Sequence, residues 1–134
     1  LNIKNYARAE IILTGVSRSG KTPTCLFLAL QYGIFAANYP LIEEDLKTIK
    51  LPTILQKNKN KLFGLSINPV RLQNIRDERR SNSDYASIDQ CRKEVKLAED
   101  MFVQNQVPFL DTSHTSIEEI AGRILNKSSI KRRY

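Results

Sequence analysis

The residues with the clearest chemistry are Gly15-Val16-Ser17-Arg18-Ser19-Gly20-Lys21-Thr22. Their spacing satisfies the phosphate-binding pattern G-x-x-x-x-G-K-[ST] at every required position. Gly15 and Gly20 let the backbone curl, so that the N–H groups of Val16, Ser17, Arg18 and Ser19 turn inward toward phosphate oxygens. Lys21 is placed to reach terminal phosphates and Thr22 to offer its hydroxyl to Mg²⁺. The N-terminus of the following helix adds partial positive charge. The expected ligand is a nucleotide.

Other residues could join this chemistry. Arg71, Arg76, Arg79 and Arg80 fall on one predicted helix, and at about 100° per residue the last three share a sector of its surface. That sector reads first as a solvated basic face, yet guanidinium groups also bind phosphate oxygens in pairs and can neutralise a transferring phosphoryl group. Asp111 stands at the C-terminal end of a predicted strand, the edge where ligands gather in open α/β sheets. It could hold Mg²⁺, position a water, accept a hydroxyl proton, or only cap the Thr112-Ser113 turn. His114, the one histidine, could shuttle protons but ranks below Asp111. Glu43-Glu44-Asp45 reads as the acidic first turn of a short helix, with Asp45 as the member to test for a metal or substrate contact. The third predicted strand ends at Asn68 without a carboxylate, so the metal carboxylate is unassigned.

The elements that must position these residues follow from periodicity. Glu10-Ile11-Ile12-Leu13-Thr14 is a short β-branched run ending at the loop, as a buried parallel strand should. Pro23 suits a first helical turn, and Cys25-Leu26-Phe27-Leu28-Ala29-Leu30 continues that helix toward Gly33. Ile34 to Asn38 reads as a second strand with an extended exit at Tyr39-Pro40. Gln56 to Lys61 reads as a solvated loop, and Leu62 to Ile67 as a third buried strand, with Pro69 opening the arginine helix. Ile88, Cys91, Val95, Ala98, Met101 and Phe102 recur at helical spacing. Val107 to Asp111 reads as a fourth strand. Thr115-Ser116-Ile117-Glu118-Glu119 then carries a capping-box signal for a last helix.

The chain has 134 residues, 41% of them hydrophobic, enough for one domain with a buried core. No run of about 18 apolar residues and no signal-peptide pattern is present, which predicts a soluble, cytoplasmic protein without membrane association. Leu1 in place of an initiator methionine predicts a piece of a longer chain. The two cysteines, Cys25 and Cys91, sit in apolar helical patterns and read as reduced core residues. The net charge of +7 favours anionic partners. Aromatics are too few and scattered for base-stacking platforms, which argues against nucleic acid.

Beyond the loop itself, Ala36-Ala37-Asn38-Tyr39-Pro40-Leu41, Lys61-Leu62-Phe63-Gly64-Leu65, Arg71-Leu72 with Ile75-Arg76, and Ser116-Ile117-Glu118-Glu119 extend the pattern. Together they resemble the C-terminal half of the regulatory proteins of pyruvate, phosphate dikinase and phosphoenolpyruvate synthase. The resemblance implies an α/β, P-loop NTPase-like three-layer fold with a mostly parallel sheet of about four to five strands flanked by helices. It divides the chain into a linker or upstream remnant at 1–8, a kinase-like domain at 9–127 and a basic tail at 128–134. It also implies a bifunctional enzyme. One activity moves the β-phosphoryl of ADP to a threonine of the dikinase or synthase, and the other removes it with inorganic phosphate, releasing pyrophosphate.

On that reading residues 15–22 hold ADP, Lys21 stabilises the transferring group, and Thr22 serves Mg²⁺. Arg18 and the arginine helix, Arg76 included, receive phosphothreonine or attacking phosphate, and Asp111 joins the catalytic set. One departure is Gly20, where bacterial members often carry serine. Two rivals stand beside this reading: a small-molecule kinase of the nucleoside-monophosphate type, and a non-catalytic nucleotide- or RNA-binding module. Assembly into a homo-oligomer is left open.

Overall fold

The computed structural model describes residues 3–128, with side chains from residue 5 onward. Four strands form one all-parallel sheet: β1 (Ile11–Gly15), β2 (Ala36–Pro40), β3 (Leu62–Ser66) and β4 (Phe109–Asp111), in the order β2-β1-β3-β4. Among the described residues the α-helices are α1 (Ile3–Arg8), α2 (Lys21–Tyr32), α3 (Glu43–Leu46), α4 (Thr53–Lys57), α5 (Pro69–Arg79), α6 (Ile88–Gln104) and α7 (Ile117–Lys127).

Side chains alternate across the sheet, so each strand feeds two hydrophobic layers. Ile11, Leu13, Phe63 and Leu65 pack with Leu28 of α2 and Ile124 of α7. Ile12 and Leu62 face the other way, joining Tyr6, Leu46, Leu55, Leu72 and Phe102 from α1 and α3–α6. The result is the three-layer α/β arrangement expected from the sequence. At Gly64 the sheet passes directly beneath α6, where a Cβ would lie 2.8 Å from the Phe102 ring.

Strand limits depart from the sequence pattern for local reasons. β2 begins at Ala36 because Ile34 N–H still donates to Leu28 C=O in the turn that closes α2, where Gly33 takes φ 65°. Tyr39-Pro40 is strand rather than exit, since β2 lies at the sheet edge and Pro40 needs no ladder donor on its outer side. β4 starts at Phe109, because Pro108 contributes only its carbonyl, which accepts from Gly64 N–H at 2.8 Å. The stretch read as a loop from Gln56 to Lys61 is the end of α4 followed by a 3₁₀ turn at Lys59–Lys61. Lys61 explains that turn: its ammonium donates to the carbonyls of Tyr6, Ala7 and Ala9 at 2.8–3.0 Å, closing the C-terminal end of α1. The Lys131-Arg132-Arg133 tail lies outside the described residues.

Topology creates the site. β1 connects through α2 to β2 on one side, whereas β3 connects through α5 and α6 to β4 on the other. The connections therefore leave neighbouring strands β1 and β3 in opposite directions, opening a crevice at their C-terminal ends.

Candidate functional site

Residues 16–20 bridge the end of β1 and the start of α2. The two glycines have separate reasons. A Cβ at Gly15 would overlap the Leu65 carbonyl oxygen and lie 2.9 Å from Ser19 Oγ, so crowding selects glycine there. At Gly20 a Cβ would meet only Thr112 Oγ1 at 4.0 Å, and the selecting factor is the left-handed backbone at φ 100°. Arg18 also takes a left-handed conformation, φ 71°, without being glycine.

Lys21 is buried and folds back on the loop, donating to Val16 C=O at 2.6 Å and to Ser19 Oγ at 3.4 Å. Among the described residues it has no carboxylate partner. Burial lowers its pKa to about 8, helped by the positive charges of Arg76 and Arg18. Thr22 is exposed, and its hydroxyl accepts from Asn38 Nδ2 at 2.9 Å. Asn38 Oδ1 is buried without a partner. Asn38, in the middle of β2, was missed as a site residue by the sequence reading. The available signal was its place on a strand neighbouring the loop strand.

The loop opens into a cavity of about 520 Å³, bounded by Arg18, Lys21 and Thr22, by Asn38, and by Ile75 and Arg79 of α5. The arginines of α5 do not act together. Arg79 lines the cavity, Arg71 is exposed elsewhere on the helix, and Arg80 is exposed just past its end, off the helical path. Arg76, expected on the basic face, is fully buried. Its guanidinium grips Glu94 with two hydrogen bonds at 2.8 and 3.1 Å and donates to the Ser17 and Tyr85 carbonyls. Burial alone would lower its pKa, but the Glu94 hydrogen bonds and charge raise it above the usual arginine value. Arg76 is thus engaged behind the loop and does not line the cavity.

Asp111 is not in this cavity either. Its Oδ1 accepts from Ser113 N–H at 2.8 Å and from Ser113 Oγ at 2.5 Å, holding the turn after β4. It borders a separate cleft of about 370 Å³ with Asn68, Arg92, Lys96 and Glu99. The contact from this turn to the loop is Thr112, whose hydroxyl donates to the carbonyls of Ser19 and Ser66. His114 is exposed. Asp45 caps α3, its Oδ2 accepting from Ile42 N–H at 3.0 Å. Among the described residues no group of three or more His, Cys, Asp or Glu side chains could hold a metal ion, and both cysteines are free. Burial drives the Cys25 thiol up to about 12. No described helix is long and apolar enough to cross a membrane.

An all-parallel sheet flanked by helices, with a glycine loop leading from an interior strand into a buried lysine, defines a P-loop-like α/β domain. Residues 1–125 match the kinase/pyrophosphorylase family, and the chain belongs to that family. Curated relatives are similar throughout. One from Pseudoalteromonas translucida is 58% identical over 132 residues, covering 98% of this chain and 49% of its own length. Another from Laribacter hongkongensis is 58% identical over 134 residues, covering 100% and 49%. One from Neisseria gonorrhoeae is 58% identical over 131 residues, covering 98% and 48%. Each is named "Putative phosphoenolpyruvate synthase regulatory protein". The chain spans about half the length of the curated relatives it matches.

Proposed function

We propose that this chain is the nucleotide-handling part of a regulator of phosphoenolpyruvate synthase or pyruvate, phosphate dikinase. Its kinase activity transfers the β-phosphoryl of ADP to a target threonine. Its phosphorylase activity lets inorganic phosphate attack that phosphothreonine and release pyrophosphate. The observation that carries this reading is Lys21, a buried cation with no carboxylate beside it among the described residues, at the mouth of a cavity large enough for a nucleotide's phosphates. A buried charge is costly unless paired, so an anionic ligand is the natural partner.

On this reading the N–H groups of residues 16–20 face the α- and β-phosphates, and Lys21 exchanges Val16 C=O for a phosphate oxygen. Such charge stabilisation of the moving group is most of what phosphoryl transfer asks of a protein. Arg79 and Arg18, flanking the cavity, receive phosphothreonine or inorganic phosphate. The Thr22 hydroxyl, which accepts from Asn38 Nδ2, is the one oxygen of this pair that would ligate Mg²⁺. When bound, Mg²⁺ would supply positive charge that offsets the negative charge of the phosphates.

The test mixes the protein with purified synthase or dikinase and β-labelled ADP. Label on a target threonine, absent with Lys21→Ala, is expected. Transfer from ATP alone, or none, overturns the reading.

A further inference from the structure

Behind the glycine loop, two elements converge on one residue, Ser17, and a third braces them. Arg76 Nη2 of α5 donates to its carbonyl at 3.1 Å, and the Tyr85 hydroxyl, in the 3₁₀ turn at Asp84–Ala86, lies 2.7 Å from its Oγ. The Arg76 guanidinium stacks on the Tyr85 ring, 4.3 Å from the centroid, and donates to the Tyr85 carbonyl at 3.0 Å. Glu94 of α6 holds the far side of Arg76 through both oxygens and is itself oriented by Gln90 Nε2 at 2.8 Å.

Three features give this arrangement a purpose beyond packing. Ser17 is held at both its carbonyl and its hydroxyl, which fixes the peptide plane as well as the side chain. The next residue, Arg18, sits in the left-handed region that non-glycine residues leave unless held there. And a buried ion pair is a poor device for stability alone, since well-packed apolar side chains of similar volume often serve as well or better.

We propose that Arg76, Glu94 and Tyr85 are positioning residues that hold Ser17 and Arg18 in the bend through which the loop meets phosphate. This rests on the reading of the loop as a nucleotide-phosphate site. The arginine acts through the loop backbone, and Glu94 keeps that arginine in place.

The experiment compares the parent chain with Tyr85→Phe and with the double variant Arg76→Met/Glu94→Met. It measures the Kd for ADP by calorimetry, the Tm, and amide hydrogen exchange across residues 15–20. For Tyr85→Phe the expected result is a several-fold weaker Kd with faster exchange confined to the loop. For the double variant it is a loss of about tenfold or more in ADP affinity with Tm within about 4 °C of the parent. A merely structural role would lower Tm and leave the affinity of the folded molecules unchanged. Affinity within twofold of the parent in Tyr85→Phe, with parental exchange at residues 15–20, overturns the proposal, and this variant decides if the double one does not fold. If the parent itself fails to bind ADP, the functional reading falls while the exchange measurement still judges the strut.

Discussion

Two cations are buried against the glycine loop, and they differ in company. Arg76 has a carboxylate, two carbonyls and an aromatic ring around it. Lys21 has a carbonyl and a hydroxyl, and among the described residues no carboxylate. A buried charge whose counter-ion is supplied by the fold is part of the framework; one left with neutral acceptors has capacity for a ligand. Both side chains are charged and buried, so the surrounding acceptors, together with the cavity beside Lys21, separate framework from site.

The contrast is broken most severely at Glu94. Glu94→Ala leaves Arg76 buried without its anion, and denaturant unfolding should show a loss of about 3–5 kcal/mol. Lys21→Met should act in the opposite sense on stability. Its folded pKa of about 8 against an ordinary 10.5 amounts to a penalty on the order of 3 kcal/mol at neutral pH. Removing the charge should therefore raise stability by about 1–3 kcal/mol, while ADP affinity measured by calorimetry falls on the order of 100-fold.

The pH dependence sharpens the same point. Between pH 8 and 10.5 the unfolded chain holds the Lys21 proton and the folded chain has released it. Stability from this group therefore rises with pH across that window and is flat below it, a rise that Lys21→Met should abolish in thermal scans. ADP affinity should move the other way. Bound phosphate favours the protonated lysine, so affinity falls above about pH 8, with proton uptake visible as a buffer-dependent binding enthalpy. The smallest effect is expected at Asp111. Asp111→Asn should cost about 1 kcal/mol through the Ser113 turn and leave ADP affinity within about twofold of the parent.

The loop was legible because its determinants are local: glycine spacing, a lysine and threonine at a helix start, and a β-branched run before them. The apolar stripes of α6 and α7 were readable from periodicity, whereas α1 and α4, too short to show one, were not. Arg76 was not, because arginine at helical spacing among other arginines reads as surface, and its partner stands 18 residues away on another helix. A signal did exist. Glu94 lies three residues after Cys91 and four before Ala98, beside the buried stripe of α6 rather than opposite it. A carboxylate there needs a cation, and only tertiary packing says which one. Asp111 misled for the converse reason, since its position at a strand end is suggestive while the donors that occupy it come from its own turn.

Gly64 has a reach that its place under α6 does not at first suggest. With no side chain beneath Phe102, the sheet lets α6 settle close to its surface, and Glu94 rides on that same rigid rod. The missing methyl group therefore works as a mechanical datum. It sets the height from which the carboxylate meets Arg76, and through Arg76 the alignment of the loop that follows the neighbouring strand.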